Sequence, residues 1–112
     1  MYDPRAFQLD GAVALITGAG AGIGRAIGET FAAAGASVAV TDRDAATAQQ
    51  VAAALNDAGG QATSAACDVT KEEDLVAAVD LAVSTFGSLT ILVNNAGGGG
   101  PKPFDMPMAD MR

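Results

Sequence analysis

The residues with the clearest chemical use are the glycines of residues 17–24, Thr-Gly-Ala-Gly-Ala-Gly-Ile-Gly, which lie between an apolar run and an amphipathic run. Glycines let the backbone turn tightly and approach a phosphate closely, and N–H groups at the start of the following helix then bind the anion. The spacing Gly-x-x-x-Gly-x-Gly predicts a pyrophosphate site formed by Gly18, Gly22, Ile23 and Gly24. A turn that only joins strand to helix is the alternative.

An acidic residue, Asp42, follows the next apolar run, 18 residues after Gly24. A carboxylate at this point can accept hydrogen bonds from the ribose hydroxyls of a dinucleotide. It would also face the extra phosphate of NADP, and two like charges ~4 Å apart repel by about 4 kcal/mol at an effective dielectric constant of about 20. NAD is therefore favoured. Arg43 could offset a phosphate charge, and Asp42 could instead be a helix cap.

Polar residues also follow the third and fourth apolar runs. Asp68 follows the third, and the pair Asn94 and Asn95 follows the fourth. Because ligands bind along the carboxyl edge of a parallel sheet, these side chains are expected near the same ligand. Each also has a plain explanation as a loop or capping residue. Cys67 has no positive charge near it in the sequence, so it is expected to be a small core residue rather than a reactive thiol.

The composition excludes several functional classes. The net charge of −7 over 112 residues argues against nucleic acids and anionic membrane surfaces as partners. With no histidine and one cysteine, the chain cannot form a His/Cys zinc site, a Ser-His-Asp triad or a Cys-His pair. The lone cysteine fits a reducing compartment. No run of about 18 apolar residues and no signal peptide is seen, so a soluble, cytoplasmic chain is expected.

Short apolar runs alternate with amphipathic runs along the chain. The pattern predicts strands over 12–17, 37–41, 62–67 and 89–93. Helices are expected from residue 23 to Gly35, over 45–58, and from a capping box of Thr70 and Glu73 to Gly87. This alternation predicts an α/β fold, a Rossmann-type doubly wound parallel sheet that is incomplete, with four strands in the order 3-2-1-4.

The helical periodicity also predicts which side chains face the sheet. In the first helix these are Ile23, Ala26, Ile27, Thr30, Phe31 and Ala34. In the third helix they are Leu75, Val79, Ala82, Val83 and Phe86. The fourth strand lies at an edge in the expected order, yet it is apolar and has no charge to protect that edge. A neighbouring strand is therefore expected, and residues 1–112 are interpreted as part of a single Rossmann domain.

Taken together, these residues resemble the short-chain dehydrogenase/reductase family. Residues 17–24 match its cofactor fingerprint, residues 68–69 match its adenine-contacting pair, and residues 94–97 match its Asn-Asn-Ala-Gly motif. The resemblance runs from about residue 9 to the end of the chain and covers less than half of a usual member. It implies an NAD cofactor and places Asp68, Val69, Asn94, Ala96 and Gly97 on the adenosine side.

The segment 94–110 has a narrower resemblance. Four glycines followed by Pro-Lys-Pro-Phe are similar to the matching stretch of hydroxysteroid dehydrogenases within the family. This similarity implies a secondary alcohol as the small-molecule substrate, namely the 7α-hydroxyl of a bile acid or steroid.

The chain departs from the family pattern at the catalytic residues. The family uses a Tyr-x-x-x-Lys pair with Ser and Asn for proton exchange beside the hydride transfer. The only tyrosine is Tyr2, Ala6 stands four residues after it, and neither Lys71 nor Lys102 follows a tyrosine at that spacing. No catalytic residue is assigned, and the chain alone is expected to be inactive. Full-length relatives are expected to be homo-oligomers. A non-catalytic dinucleotide-binding module and a non-functional truncated product are the alternatives.

Overall fold

The structure, a computed structural model, describes residues 8–95, in which four strands alternate with three helices. The elements are β1 (Val13–Thr17), α1 (Gly22–Ala33), β2 (Ser37–Asp42), α2 (Ala45–Asp57), β3 (Gln61–Ala66), α3 (Glu72–Phe86) and β4 (Ile91–Asn94). The strands form one sheet in the order β3-β2-β1-β4, and all three pairings are parallel. The predicted α/β class and the strand order 3-2-1-4 of an incomplete Rossmann sheet are confirmed.

β1 is the central strand on which the sheet is built. Its Leu15 pairs with Ala39 of β2 on one side and with Leu92 of β4 on the other. All five residues of β1 are buried, because helices cover both faces of a parallel sheet. This burial explains why the first run is continuously apolar rather than alternating.

Two hydrophobic layers cover the two faces of the sheet. On one face α1 and α2 pack over the strands, and this layer contains Ile16, Val38, Val40, Val51 and Leu55. On the other face α3 packs over the strands, and this layer contains Val13, Leu15, Ala39, Ala78 and Ala82. Successive residues of β1 alternate between the layers, as the pleat of a strand requires. The small side chains of α3 let its backbone lie close to the sheet.

The buried faces of two helices differ from the expected ones. In α1, Ile23 is 74% exposed and Ala26 and Thr30 are also exposed, whereas Gly24 and Gly28 are buried. The helix contacts the sheet through its glycines, and this close approach turns the apolar stripe partly toward solvent. In α3, Val83 is 43% exposed and Ala78 takes the buried position. The predictions for Ile23, Ala26, Thr30 and Val83 are therefore wrong, while Ile27, Phe31, Leu75, Val79, Ala82 and Phe86 do pack against the core.

The predicted capping box at the start of α3 is also wrong. Lys71 occupies the N-cap position without a side-chain cap, and α3 begins at Glu72. The Thr70 hydroxyl donates to Asp68 Oδ1 at 2.6 Å, and the Thr70 N–H donates to the same oxygen at 2.9 Å. An aspartate two residues earlier thus competes successfully for Thr70. Three acidic residues in the first turn suit the positive end of the helix dipole.

β4 begins at Ile91, two residues later than expected, and Thr90 before it bonds to the start of β1. The Val13 N–H donates to Thr90 Oγ1 at 2.8 Å, and the Thr90 hydroxyl donates to the Val13 carbonyl at 3.2 Å. Leu92 points to the α3 face, like its partner Leu15, yet it is 61% exposed. Within residues 8–95 no strand pairs with the outer edge of β4. That open apolar edge agrees with the expected need for a neighbour.

Leu15 and Leu92 form a matched pair for testing the core, because they face the same layer in register. Leu15→Ala is expected to lower the free energy of unfolding by about 2–5 kcal/mol, since the side chain is fully buried. Leu92→Ala is expected to lower it by less than about 1 kcal/mol, since the side chain is mostly in solvent. Urea unfolding followed by circular dichroism measures both values. Equal losses in the two variants would contradict this description of the core.

Candidate functional site

The polar and glycine residues singled out in the sequence come together at the carboxyl edge of the sheet. Gly18 follows β1 directly, Asp42 ends β2, Asp68 follows β3 and Asn94 ends β4. The register aligns Thr17 with Asn94, which brings the ends of β1 and β4 level. Parallel strands gather residues that are far apart in sequence at one edge, where ligands of such sheets bind.

The glycine turn between β1 and α1 has geometric reasons for its spacing. Gly18 and Gly22 have φ angles of 63° and 62°, in the left-handed region that side chains disfavour. A Cβ on Gly24 would collide with the Gly18 carbonyl oxygen and lie 2.6 Å from Asn95 Nδ2. Glycine at these positions lets the turn close and lets the first turn of α1 lie against it.

The start of α1 is electrostatically suited to an anion. N–H groups in the first turn of a helix lack intrahelical partners, and the helix dipole is positive there. Ala21 holds the N-cap position with a methyl side chain, and the first turn carries no acidic residue. By contrast, Asp44 caps α2 and three acids begin α3. Among the helices within residues 8–95, α1 alone has neither a capping side chain nor an acidic residue in its first turn.

Asp42 lies beside the glycine turn and is held by two backbone donors. The Gly20 N–H donates to Asp42 Oδ2 at 3.0 Å, and the Asp44 N–H donates to Asp42 Oδ1 at 3.1 Å. Asp44, not Asp42, caps α2 by accepting from the N–H groups of Ala46 and Thr47. The helix-cap alternative for Asp42 is therefore wrong. Each carboxylate oxygen has a further lone pair for a ligand hydroxyl.

Asp68 and Arg43 lie at the same edge beyond β3 and β2. Hydrogen bonds from the Thr70 hydroxyl and N–H lower the pKa of Asp68, and the positive charges of Arg43 and Lys71 lower that pKa further. The Asp68 N–H donates to Asp74 Oδ2 at 3.0 Å. Asp68 therefore stays charged near neutral pH in a fixed orientation, with Arg43 exposed close by.

Val69, beside Asp68, is half-buried and packs against the α3-side layer. Cys67 is buried, and this burial raises the pKa of its thiol, with the charges of Asp74 and Asp68 adding to the effect. The interpretation of Cys67 as a core residue is confirmed.

The asparagines at the end of β4 tie that strand to β1 and to the turn. The Thr17 hydroxyl donates to Asn94 Oδ1 at 3.2 Å, and Asn95 Nδ2 donates to the Gly18 carbonyl at 3.1 Å. Two site residues, Ala96 and Gly97, lie outside the described residues. Asn95, expected at this edge beside Asn94, bonds to the turn itself. Gly20 is not among the residues predicted for the pyrophosphate site, and the extra glycine within the motif is the signal that could have included it.

Residues 8–95 contain neither a candidate metal site nor a candidate membrane-spanning helix. In that part of the chain, no cluster of His, Cys, Asp or Glu side chains could hold a metal ion. None of its three helices combines the length and the apolar character required to cross a membrane.

A family model described as short chain dehydrogenase matches residues 12–111. The chain is 56% identical over 112 residues to the 7alpha-hydroxysteroid dehydrogenase of Escherichia coli K12, covering all of this chain and 44% of that protein. It is 45% identical over 91 residues to D-threitol dehydrogenase of Mycolicibacterium smegmatis, covering 81% of this chain and 35% of that protein. The chain thus spans less than half the length of the curated relatives it matches.

Solved structures give the same result. A crystal structure of hydroxysteroid dehydrogenase from Escherichia coli superposes with a TM-score of 0.83 at 56% identity, over 98% of this chain and 47% of that one. A 7 alpha-hydroxysteroid dehydrogenase complexed with NADH and 7-oxo glycochenodeoxycholic acid also gives 0.83 at 56% identity, over all of this chain and 44% of that one. The likeness therefore extends over the whole carboxyl edge described above.

The hydrogen bonds to Asp68 predict an acid-dependent contribution to stability. Because the pKa of Asp68 is lowered on folding from about 3.9, its charge stabilises the fold above that value, and the contribution is lost as pH falls through the folded pKa. Asp68→Asn is expected to lower the urea midpoint most at pH 7 and progressively less below about pH 4. Urea titrations of the wild type and Asp68→Asn at pH 7 and pH 3 measure the difference between their midpoints. Thr70→Val should reduce the pH dependence of this difference. A difference that stays constant with pH would contradict this role.

Proposed function

The chain belongs to the short-chain dehydrogenase family, and from that premise we propose that it forms the NAD-binding part of an oxidoreductase acting on a secondary alcohol. Residues 1–112 then constitute the N-terminal, dinucleotide-binding part of a single Rossmann domain. The observation that carries the proposal is the glycine turn that leads into the uncapped start of α1, with the Asp42 carboxylate held beside it.

The described residues fit a dinucleotide along the carboxyl edge. The N–H groups at the start of α1 and the turn of Gly18, Gly22, Ile23 and Gly24 would bind the pyrophosphate. Asp42 would accept hydrogen bonds from the adenosine ribose, and Arg43 would lie where it could offset a ribose phosphate. Asp68 and Val69 would lie toward the adenine. Asn94 would complete this side together with Ala96 and Gly97. When bound, the nicotinamide ring takes a hydride from an alcohol carbon or returns it to a carbonyl.

The charges at this edge support NAD over NADP. Asp42 would face an additional ribose phosphate with like charge. Arg43, exposed beside Asp68, is the residue that could offset part of that phosphate charge. The NADH named in the complex of the 56% identical hydroxysteroid dehydrogenase adds support from a relative.

The proposed substrate is a bile acid or related steroid carrying a 7α-hydroxyl. Relatives near 45% identity act, by their names, on D-threitol, cyclohexanol or borneol. The relative named for the 7alpha-hydroxysteroid is 56% identical over the full 112 residues. The greater identity, over the full length of this chain, favours the steroid. A cytoplasmic location fits the single buried cysteine.

Catalysis is proposed to need residues beyond those of this chain. No Tyr-x-x-x-Lys pair occurs in residues 1–112, and the E. coli relative is more than twice as long as the match. The other candidates are a non-functional truncated product and a non-catalytic dinucleotide-binding module. Within residues 8–95 the outer edge of β4 is unpaired and Leu92 is exposed, and both features favour the truncated product over a finished module.

Binding of NADH is the direct test of the site. NADH fluorescence is expected to change saturably when the 112-residue chain is added, and Asp42→Asn is expected to weaken NADH binding about tenfold, since a charge-assisted hydrogen bond is lost. NADPH binding should weaken far less, because the same change removes a repulsion. Asp57→Asn, at the end of α2, makes the same chemical change away from the carboxyl edge and should leave both affinities unchanged. Non-saturable NADH signals would refute the proposal.

Turnover tests the proposed substrate and the proposal that catalysis needs residues beyond those of this chain. Intact mass of the natural gene product is expected to exceed 11.0 kDa more than twofold, with a continuation that contains Tyr-x-x-x-Lys. That full product should reduce NAD when cholate is supplied, whereas residues 1–112 alone should not exceed a blank without protein. A natural product of 11.0 kDa would favour the truncated product, and turnover by residues 1–112 would contradict the catalytic assignment.

A further inference from the structure

Gly20 sits in a closed space between two side chains of the adjoining elements. A Cβ on Gly20 would lie 2.6 Å from Thr47 Cγ2 and 2.7 Å from Asp42 Oδ2. Real Cβ atoms essentially never come this close to another heavy atom. The backbone N–H of Gly20 also donates to Asp42 Oδ2 at 3.0 Å. The same residue therefore binds the Asp42 carboxylate and leaves room for it.

The far wall of this space is fixed by the cap of α2. Asp44 Oδ1 accepts from the N–H groups of Ala46 at 3.0 Å and Thr47 at 3.3 Å. The Thr47 side chain, followed by these two N–H donors, lowers the pKa of Asp44. The Thr47 methyl group faces Gly20.

We propose that Gly20 is a positioning residue for dinucleotide choice, which holds the Asp42 carboxylate at the glycine turn where the adenosine ribose would lie. The proposal rests on the proposed function and adds a residue to it, since the fingerprint glycines do not include Gly20. Asp42 supplies the charge, whereas Gly20 and the Asp44 N–H set the direction of that charge. Thr47 closes the turn from the α2 side.

A side chain at position 20 must displace Asp42 whatever Thr47 does. If Thr47 moved away, a Cβ would still lie 2.7 Å from Asp42 Oδ2 and 3.0 Å from Asp42 Cγ. The carboxylate would therefore shift from the Gly20 N–H, which weakens one of its two backbone hydrogen bonds. A carboxylate with that anchor weakened binds ribose hydroxyls less well and opposes a ribose phosphate less strongly.

Fluorescence titrations of the full 112-residue chain with NADH and NADPH test the proposal. In Gly20→Ala the NADH dissociation constant is expected to rise about tenfold, whereas that of NADPH should change less than about threefold. The preference for NADH over NADPH therefore decreases. Gly28→Ala is the matched control, because its Cβ would meet only Ile16 Cδ1 at 3.7 Å and Leu55 Cδ1 at 3.9 Å, both ordinary contacts. The control should keep the wild-type selectivity.

Two further measurements separate positioning from general loosening of the fold. The amide proton of residue 20 should resonate downfield in the wild type, and both Asp42→Ala and Gly20→Ala should remove that shift while Gly28→Ala keeps it. Adding Thr47→Ser to Gly20→Ala removes the contact of the new Cβ with Thr47 Cγ2 but keeps its contact with Asp42. The preference for NADH over NADPH should therefore stay as low as in Gly20→Ala. Recovery of selectivity in this double variant would overturn the proposal.

The outcomes also distinguish this proposal from the proposed function. A wild-type chain that binds neither dinucleotide overturns both. A wild-type chain that prefers NADH, together with a Gly20→Ala variant of unchanged selectivity, overturns the positioning role alone. An amide shift at residue 20 that is insensitive to Asp42→Ala overturns it as well.

Discussion

The close approach of α1 to the end of β1 is the constraint on which the carboxyl edge depends. The turn uses two left-handed glycines, Gly18 and Gly22, and Gly24 brings the helix backbone against the Gly18 carbonyl. This approach buries Gly24 and Gly28 and turns Ile23 out to solvent. It also directs the uncapped start of the helix along the edge, where an anion would gain from its dipole.

Polar contacts from the neighbouring strands brace that turn. Asn95 reaches the Gly18 carbonyl from β4, and Asp42 reaches the Gly20 N–H from β2. The turn is therefore held from both sides of β1 before any ligand arrives. Preorganisation of this kind reduces the ordering cost of binding. The same contacts make the site sensitive to small changes in its backbone.

Within residues 8–95, no strand pairs with the outer edge of β4. Leu92 lies in register with the fully buried Leu15, yet most of its surface is exposed. The relatives matched by this chain are more than twice as long as the match. The unpaired outer edge of β4 in this part of the chain agrees with the proposed division between cofactor binding and catalysis.

The sequence by itself determined the α/β class, the strand order and the placement of Asp42 at the end of the second strand. These follow from local periods and from the rule that parallel strands end at one edge. The Asp44 cap and the Asp68–Thr70 bonds join residues two or three positions apart, and the local sequence allowed them without choosing them over the expected alternatives. Only the tertiary structure brought Asn95 to the Gly18 carbonyl. Asn95 and Gly18 stand 77 residues apart. Local sequence patterns do not show which donor bonds to which acceptor when several polar groups lie close together. Distance and competition between side chains are properties of the folded sheet.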